Sequence, residues 1–225
     1  MSHQHASDKW ASYYRANQGK GNYFPENFVH RVFSSSSPVQ FLDHDYRGKS
    51  LLDLGCGHGR HIPYLQSLGF EVCGLEVSAE QVSQLQQQFP GLEFAEGVAA
   101  NIPLADNHFD YLLACNAIYY LDNAKPGFSH HIAESRRVLK NGGKMIFSML
   151  GEKHTIFNDA KQSGPGLYKI AKDFLGFRHD TYIQAYTGDN QQIFNALEIK
   201  HQGEIIETVD DTCRHLHYFV AVNNK

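Results

Sequence analysis

Leu51-Leu52-Asp53-Leu54-Gly55-Cys56-Gly57-His58-Gly59-Arg60 joins a short apolar run to three glycines spaced two apart. The run reads as a buried strand over 50–55, and 59–68, closed by Gly69, reads as a helix, so the glycines occupy a strand-to-helix turn. Glycine reaches left-handed backbone angles without steric cost and leaves space for a ligand against the main chain. The free N–H groups opening the next helix then face whatever fills that space.

The same alternation continues outward from this turn. Further strands are expected near 71–76, 92–96, 109–115 and 143–149, and further helices at 78–89 and 128–140, closed by Pro90 and by Asn141-Gly142-Gly143. Such a pattern predicts an α/β fold, a Rossmann-like doubly wound sheet with helices on both faces. Beyond it, a helix near 189–199 precedes two strands, Glu204–Thr208 and His215–Val222. Too few residues separate those strands for a helical crossover, so the sheet is expected to be mostly parallel with an antiparallel last pair. Ser34 to Ser37 and Pro38 read as a connector. It divides a helical arm, 1–37, that covers the site from a main domain, 38–225, with a lid-like insertion at about 151–186. Pro25 fits the first turn of an arm helix ending near Phe33.

Composition bounds the function. The chain has 225 residues, 42% hydrophobic and 20% charged, which is ordinary for a soluble globule. A formal charge of -4 supplies no basic field for a nucleic-acid backbone, so a nucleic-acid partner is disfavoured. No apolar stretch approaches the roughly 20 residues of a membrane span, and the start, MSHQHASDKW, has no secretory core, so a cytoplasmic location is expected. Cys56, Cys73, Cys115 and Cys213 form no CxxC pair, and neither a disulfide nor a zinc site is expected.

Glu76 stands at the carboxyl end of the second expected strand, about 20 residues past the glycine turn. A carboxylate there accepts hydrogen bonds from both hydroxyls of a ribose, at roughly 1.5–3 kcal/mol for each charged bond. Nicotinamide dinucleotide and S-adenosylmethionine sites share this plan. The dinucleotide fingerprint needs a third glycine five residues after the first, where this chain has Arg60. An NAD(P)-dependent oxidoreductase remains the alternative on the shared loop and acid.

LLDLGCGHGR resembles the first motif of the class I S-adenosylmethionine-dependent methyltransferases, and GLEVSAEQV looks like their second. The resemblance is to their small-molecule branch, related to the ubiquinone and menaquinone enzymes. Gly97 to Asp110 is similar to that family's GDAENLPFPDNSFD pattern, and Ser135 to Gly143 to its RVLKPGG turn. The resemblance implies methyl transfer to a small molecule, with S-adenosylmethionine as cofactor and S-adenosylhomocysteine as its product. It implies that Asp53 and the backbone of Gly55, Cys56, Gly57 and Gly59 surround the methionine portion, that Glu76 holds the ribose and that Val77 lines the adenine pocket. Where the family usually has an acid this chain has Val98, so Ala99 is left to offer its backbone N–H to adenine. Asn116 matches the region whose backbone contacts the methionyl group. Cys115-Asn116-Ala117-Ile118-Tyr119-Tyr120 lacks the Asn/Asp-Pro-Pro-aromatic run of enzymes that methylate amino groups of bases or glutamine. A non-catalytic protein that retains the cofactor site is a further alternative, because Val98 replaces the acid and no base is evident.

In-line transfer from a sulfonium needs no metal or nucleophilic triad, and a base only when the acceptor keeps its proton. No catalytic residue is assigned from sequence. Tyr14, Tyr119 and Tyr186 are the candidate pocket residues, Tyr14 and Arg31 are candidates for the cofactor carboxylate, and His154 and His179 are candidate bases. Gly164-Pro165-Gly166 is a candidate pivot for the insertion. His58 with His61 and His215 with His217 have spacings a metal could use, but no third ligand is evident and no metal is expected. His130 and His131 read as solvated helix positions.

Overall fold

A computed structural model of the chain describes residues 2–17, 24–34, 42–43, 45–121, 127–171 and 180–225. Two helices open the chain, α1 (Ser2–Asn17) and α2 (Asn27–Phe33). There follow β1 (Ser50–Leu54), α3 (Ile62–Ser67), β2 (Glu71–Glu76), α4 (Ala79–Gln88), β3 (Glu93–Glu96), β4 (Phe109–Ala114) and β5 (Tyr120–Leu121). The second half holds α5 (Phe128–Val138), β6 (Leu139–Leu150), β7 (Lys161–Gly164), β8 (Leu167–Lys169), β9 (Tyr182–Gln184), β10 (Glu198–Val209) and β11 (Thr212–Val222).

Seven strands form one sheet in the order β10-β11-β6-β4-β1-β2-β3, so β3 and β10 are its edges. β1, β2, β3, β4 and β6 pair in parallel, and β11 runs antiparallel to both β6 and β10. The alternation of side chains along each strand divides the core between two faces. Leu51, Val72, Tyr111, Leu113 and Ile146 pack under α2, α3 and α4, beside Phe28, Val32, Ile62, Leu65 and Leu85. Leu52, Leu75, Leu112, Met145 and Phe147 turn the other way, toward Phe128 and Ile132 of α5 and toward Phe194. Both faces are therefore covered by helices, and the expected mostly parallel α/β sheet with an antiparallel last pair is what forms.

Several boundaries differ from expectation for local reasons. The helix expected from Gly59 opens at Ile62, because the Gly59 N–H donates to the Cys56 carbonyl and closes a turn first. Pro25 lies before the helix it was expected to open, with Glu26 at the cap position. Asn141-Gly142-Gly143 is a bulge rather than a stop: Leu139 pairs with Phe109 and Lys144 with Tyr111, and β6 continues past it. The helix expected over 189–199 is only a 3₁₀ turn at Gln191–Phe194, and β10 begins at Glu198. Leu197 and Phe194 are buried on one side of the sheet, and pairing with β11 outweighs the weak local helical preference. The described part of the insertion holds a 3₁₀ turn at Thr155–Phe157 and three strands. Its β7, β8 and β9 join β5 in a small antiparallel sheet, ordered β5-β9-β8-β7. Lys172, Phe174, Phe177, Arg178 and the candidate base His179 lie outside the described residues.

Two polar side chains fix the frame on which the site stands. Arg137 donates to the carbonyls of Leu104 (2.9 Å) and Ile102 (2.6 Å) and pairs with Asp106 and Glu134, tying the Ile102–Asp106 connection to α5. Asn223 is wholly buried; its Nδ2 donates to the carbonyls of Arg136, Leu139 and Lys140 at 3.0–3.3 Å, and its Oδ1 accepts from Arg136 Nε at 3.0 Å. It satisfies the free carbonyls at the end of α5 as the chain turns into β6. Leaving buried acceptors unpaired costs about 1–3 kcal/mol. Asn223→Ala is therefore expected to lower unfolding free energy by about 2 kcal/mol or more, measured by urea denaturation at unchanged m-value.

Candidate functional site

Gly55, Gly57 and Gly59 all take left-handed angles, φ +71, +60 and +76. A Cβ on Gly55 would lie 2.5 Å from the Cβ of Ala117, and one on Gly59 would lie 2.6 Å from the Phe89 ring, so the turn is closed to larger residues from both sides. The N–H groups of Gly55 and Cys56 donate to the Leu75 carbonyl at 2.8 and 3.1 Å, holding the turn against the end of β2. The Gly57 N–H reaches the next residue of that strand: it donates to Glu76 Oε2 at 2.9 Å. The Val77 N–H donates to Oε1 at 2.8 Å, and the Tyr14 hydroxyl donates to Oε2 at 3.1 Å. Glu76 is 3% exposed, and burial raises its carboxyl above the ordinary range even against these three donors. Burial and the neighbouring Glu76 charge together hold the Tyr14 hydroxyl protonated, well above its usual value.

This turn forms one wall of a cavity of about 390 Å³ at the carboxyl ends of the strands. Gly55, Cys56, Gly57, Glu76, Val77, Val98, Ala99, Asn116, Tyr14 and Tyr119 all line it, so most of the residues singled out from sequence meet there. Asp53 and Gly59 do not. Gly59 is packed behind the turn, and Asp53 is buried beneath it, its Oδ2 3.6 Å from Nδ1 of the cavity-lining His61. Neither Asp53 Oδ2 nor His61 Nε2 has a hydrogen-bond partner among the described residues. Asn116 has a left-handed backbone, φ +56; its N–H donates to Ser148 Oγ at 2.8 Å and its Nδ2 to Glu26 at 3.3 Å.

Other residues here were not legible as partners. Arg60 and Arg214 line the cavity and share one carboxylate, Glu26, at 3.1 and 2.8 Å. Burial works against the Glu26 charge, but the two guanidiniums carry its carboxyl below the usual range. Trp10, Tyr13 and Tyr120 add an aromatic wall, Trp10 lying 5.4 Å edge-on to Tyr120 and 5.9 Å from Tyr14. His131 lines the cavity from α5 and is 7% exposed, so it is not the solvated position expected; its neighbour His130 is.

Two expectations are corrected. Tyr186 does not line the cavity. It belongs to the core, 5.8 Å from Phe194 and 5.0 Å from Phe219, with its hydroxyl bonded to Gln191 and Gln202. Arg31 is exposed and donates to Asn27 one turn earlier on α2, away from the cavity. His154 does line the cavity, but its Nδ1 accepts the Ile156 N–H at 3.1 Å, so the neutral ring carries its proton on Nε2 and offers no lone pair there. His215 and His217 gain a third neighbour that sequence spacing hides: Glu204 of β10, opposite His217 in the strand register. His215 Nδ1 accepts the Lys153 N–H and its Nε2 therefore donates to Glu204 at 2.8 Å, a hydrogen-bonded pair rather than a lone pair turned toward a metal. Among the described residues no helix is long and apolar enough to cross a membrane.

Comparison with known proteins agrees with this geometry. Residues 52–147 match the family described as a methyltransferase domain. A phthiotriol/phenolphthiotriol dimycocerosates methyltransferase of Mycobacterium ulcerans is 32% identical over 130 residues, 56% of this chain and 46% of that protein. The chain spans about half the length of the curated relatives it matches. Among solved structures, a methyltransferase of Methanosarcina mazei described as S-adenosylmethionine-dependent superposes with TM-score 0.65 at 18% identity, over 89% of this chain and 99% of that one. The 1,6-didemethyltoxoflavin-N1-methyltransferase of Burkholderia thailandensis, solved with 1,6-didemethyltoxoflavin and S-adenosylhomocysteine, gives 0.68 at 15% identity, over 98% and 87%. Residues 52–147 are thus similar to a methyltransferase domain, and the chain has the fold of solved structures described as S-adenosylmethionine-dependent methyltransferases.

Proposed function

We propose that the chain binds S-adenosylmethionine in this cavity and transfers its methyl group to a small-molecule acceptor in the cytoplasm. The observation that carries the reading is the buried Glu76 carboxylate, aligned by the Gly57 and Val77 amides at the lip of a turn too tight for any Cβ at Gly55. Glu76 is assigned to the ribose hydroxyls, Val77, Val98 and Ala99 to the adenine, and the Gly55–Gly57 backbone and Asn116 to the methionyl portion. Asp53 and His61 fit a cationic, polar ligand above them, since each keeps a buried polar atom unspent. A sulfonium supplies a methyl group on a leaving group that is already activated by its charge. The protein's part is then mostly to align the acceptor and exclude water, and good alignment contributes on the order of 7–11 kcal/mol. α1 serves as a cover, since Trp10, Tyr13 and Tyr14 lie over the cavity.

The oxidoreductase reading has less support. The dinucleotide fold has the strand order 3-2-1-4-5-6 in a parallel sheet, whereas here an antiparallel strand, β11, stands beside β6. Arg60 occupies the place of its third glycine and faces the cavity.

Isothermal calorimetry with S-adenosylhomocysteine tests the proposal: saturable binding is expected, and heat with NAD but none with S-adenosylhomocysteine sinks it. Binding without methyl transfer to any member of a broad metabolite panel would favour the non-catalytic reading. Glu76→Ala is expected to weaken binding at least tenfold, as loss of charged hydrogen bonds should. Because Glu76 protonates above the usual carboxylate range, affinity should hold at neutral pH and fall as pH drops through that raised value. The fall should be absent in Glu76→Gln.

A further inference from the structure

Resting on the reading above, we propose that His131 is the proton acceptor of the reaction and that the methylated atom is the oxygen of a neutral hydroxyl. Along α5 the buried residues are Phe128, His131, Ile132, Ser135 and Val138, so the ring faces inward and its exposed fraction borders the cavity. His131 Nδ1 lies 2.7 Å from the Ile118 carbonyl oxygen. A carbonyl only accepts, so Nδ1 carries the proton and, in the neutral ring, Nε2 carries the lone pair. No described residue hydrogen-bonds that Nε2. Ile118 lies two residues beyond Asn116, so the loop assigned to the methionyl portion also sets the tautomer of this base. Burial, with a smaller contribution from His130, lowers the His131 pKa and keeps the ring neutral and able to take a proton near pH 7.

His154 and the two cavity-lining cysteines do not substitute for it. His154 has the opposite tautomer, with its Nδ1 lone pair committed to an amide. The Cys56 and Cys115 thiols are pushed up by burial and stay protonated. Charge also narrows the acceptor. Arg60 and Arg214 pair with Glu26, and Arg214 also with Glu207, so the carboxylates at that wall are already held by guanidiniums and none is left to pair with an ammonium acceptor. A neutral hydroxyl fits, and the aromatic wall of Trp10, Tyr13 and Tyr120 makes phenol its minimal probe. In the step, the hydroxyl oxygen bonds to the methyl carbon as the carbon–sulfur bond breaks. Sulfur keeps that electron pair and becomes a neutral thioether, and the hydroxyl proton passes to His131 Nε2. The positive charge thus leaves the sulfonium and reappears on the imidazole.

Two measurements test this on the full chain, the first saturated with S-adenosylhomocysteine and the second with S-adenosylmethionine, which separates it from failure of cofactor binding itself. In ¹⁵N-histidine NMR, with the His131 signals identified by their loss in His131→Asn, Nδ1 is expected to be protonated and Nε2 bare at neutral pH. Added phenol should move the Nε2 resonance. A protonated Nε2, or an Nε2 indifferent to phenol, overturns the inference while leaving cofactor binding intact. The second measurement is turnover by wild type and His131→Asn, whose amide can still donate to Ile118, on phenol and on 4-nitrophenol at mildly alkaline pH. General-base catalysis contributes roughly 10²–10⁴-fold, so kcat on phenol should fall at least about 100-fold. On 4-nitrophenol, already ionised, the loss should be under about fivefold, because no proton needs removing. Equal losses on both would make His131 a packing residue; where neither phenol is turned over, the NMR result decides.

Discussion

Glu76 ends β2 as a carboxylate almost wholly removed from water, and burying such a charge is costly unless donors surround it. Its donors come from three separate parts of the chain: the glycine turn, the residue that follows it and α1. Meeting that demand fixes where Gly57 must place its amide, which in turn requires the left-handed angles of the turn. The same carboxylate explains why a tyrosine from the arm is buried so near a polar site. Loop shape, strand end and arm position are thus one electrostatic problem with one solution.

The sheet distributes the rest of the chemistry. Parallel strands deliver their carboxyl ends to one side, so β1, β2 and β4 each contribute to the cavity through the residues just beyond them. The connection after β4 does two things at once: Asn116 turns its backbone into the cavity with positive φ, and the Ile118 carbonyl reaches across to α5. Glu26, ahead of α2, bridges Arg60 after β1 to Arg214 on β11, linking the first and last strands of the chain across the cavity floor.

What the sequence disclosed followed from local rules. Buried parallel strands read as short apolar runs, and a glycine turn followed by a strand-ending acid has few other uses, so β1, β2, β4 and the Glu76 site were legible. Features that depend on who lies opposite were not. The stretch 189–199 looked like one helix because the pairing of Glu198 and Ile199 with β11 is invisible in a single stretch, and Tyr186 looked like a pocket residue because nothing local tells an aromatic over a cavity from one stacked on Phe194. Glu204 joins His215 and His217 only through strand register. His131 looked solvated because its inward orientation depends on the rotation of α5, although Phe128, Ile132 and Ser135 at helical spacing carried that signal.

Among the described residues no strand pairs with the outer side of either edge of the main sheet, and the two edges are protected differently. β3 is only four residues long and bears Glu93 and Glu96, whereas β10 offers a twelve-residue rail of backbone groups to any passing chain. Along that rail Glu198, Lys200, Glu204 and Glu207 stand exposed, and docking another strand there would force their charges out of water. Protection of this edge therefore rests on four charged side chains. The protection thins toward the ribbon tip, where the apolar Ile206 and Val209 reach solvent at 46% and 70%.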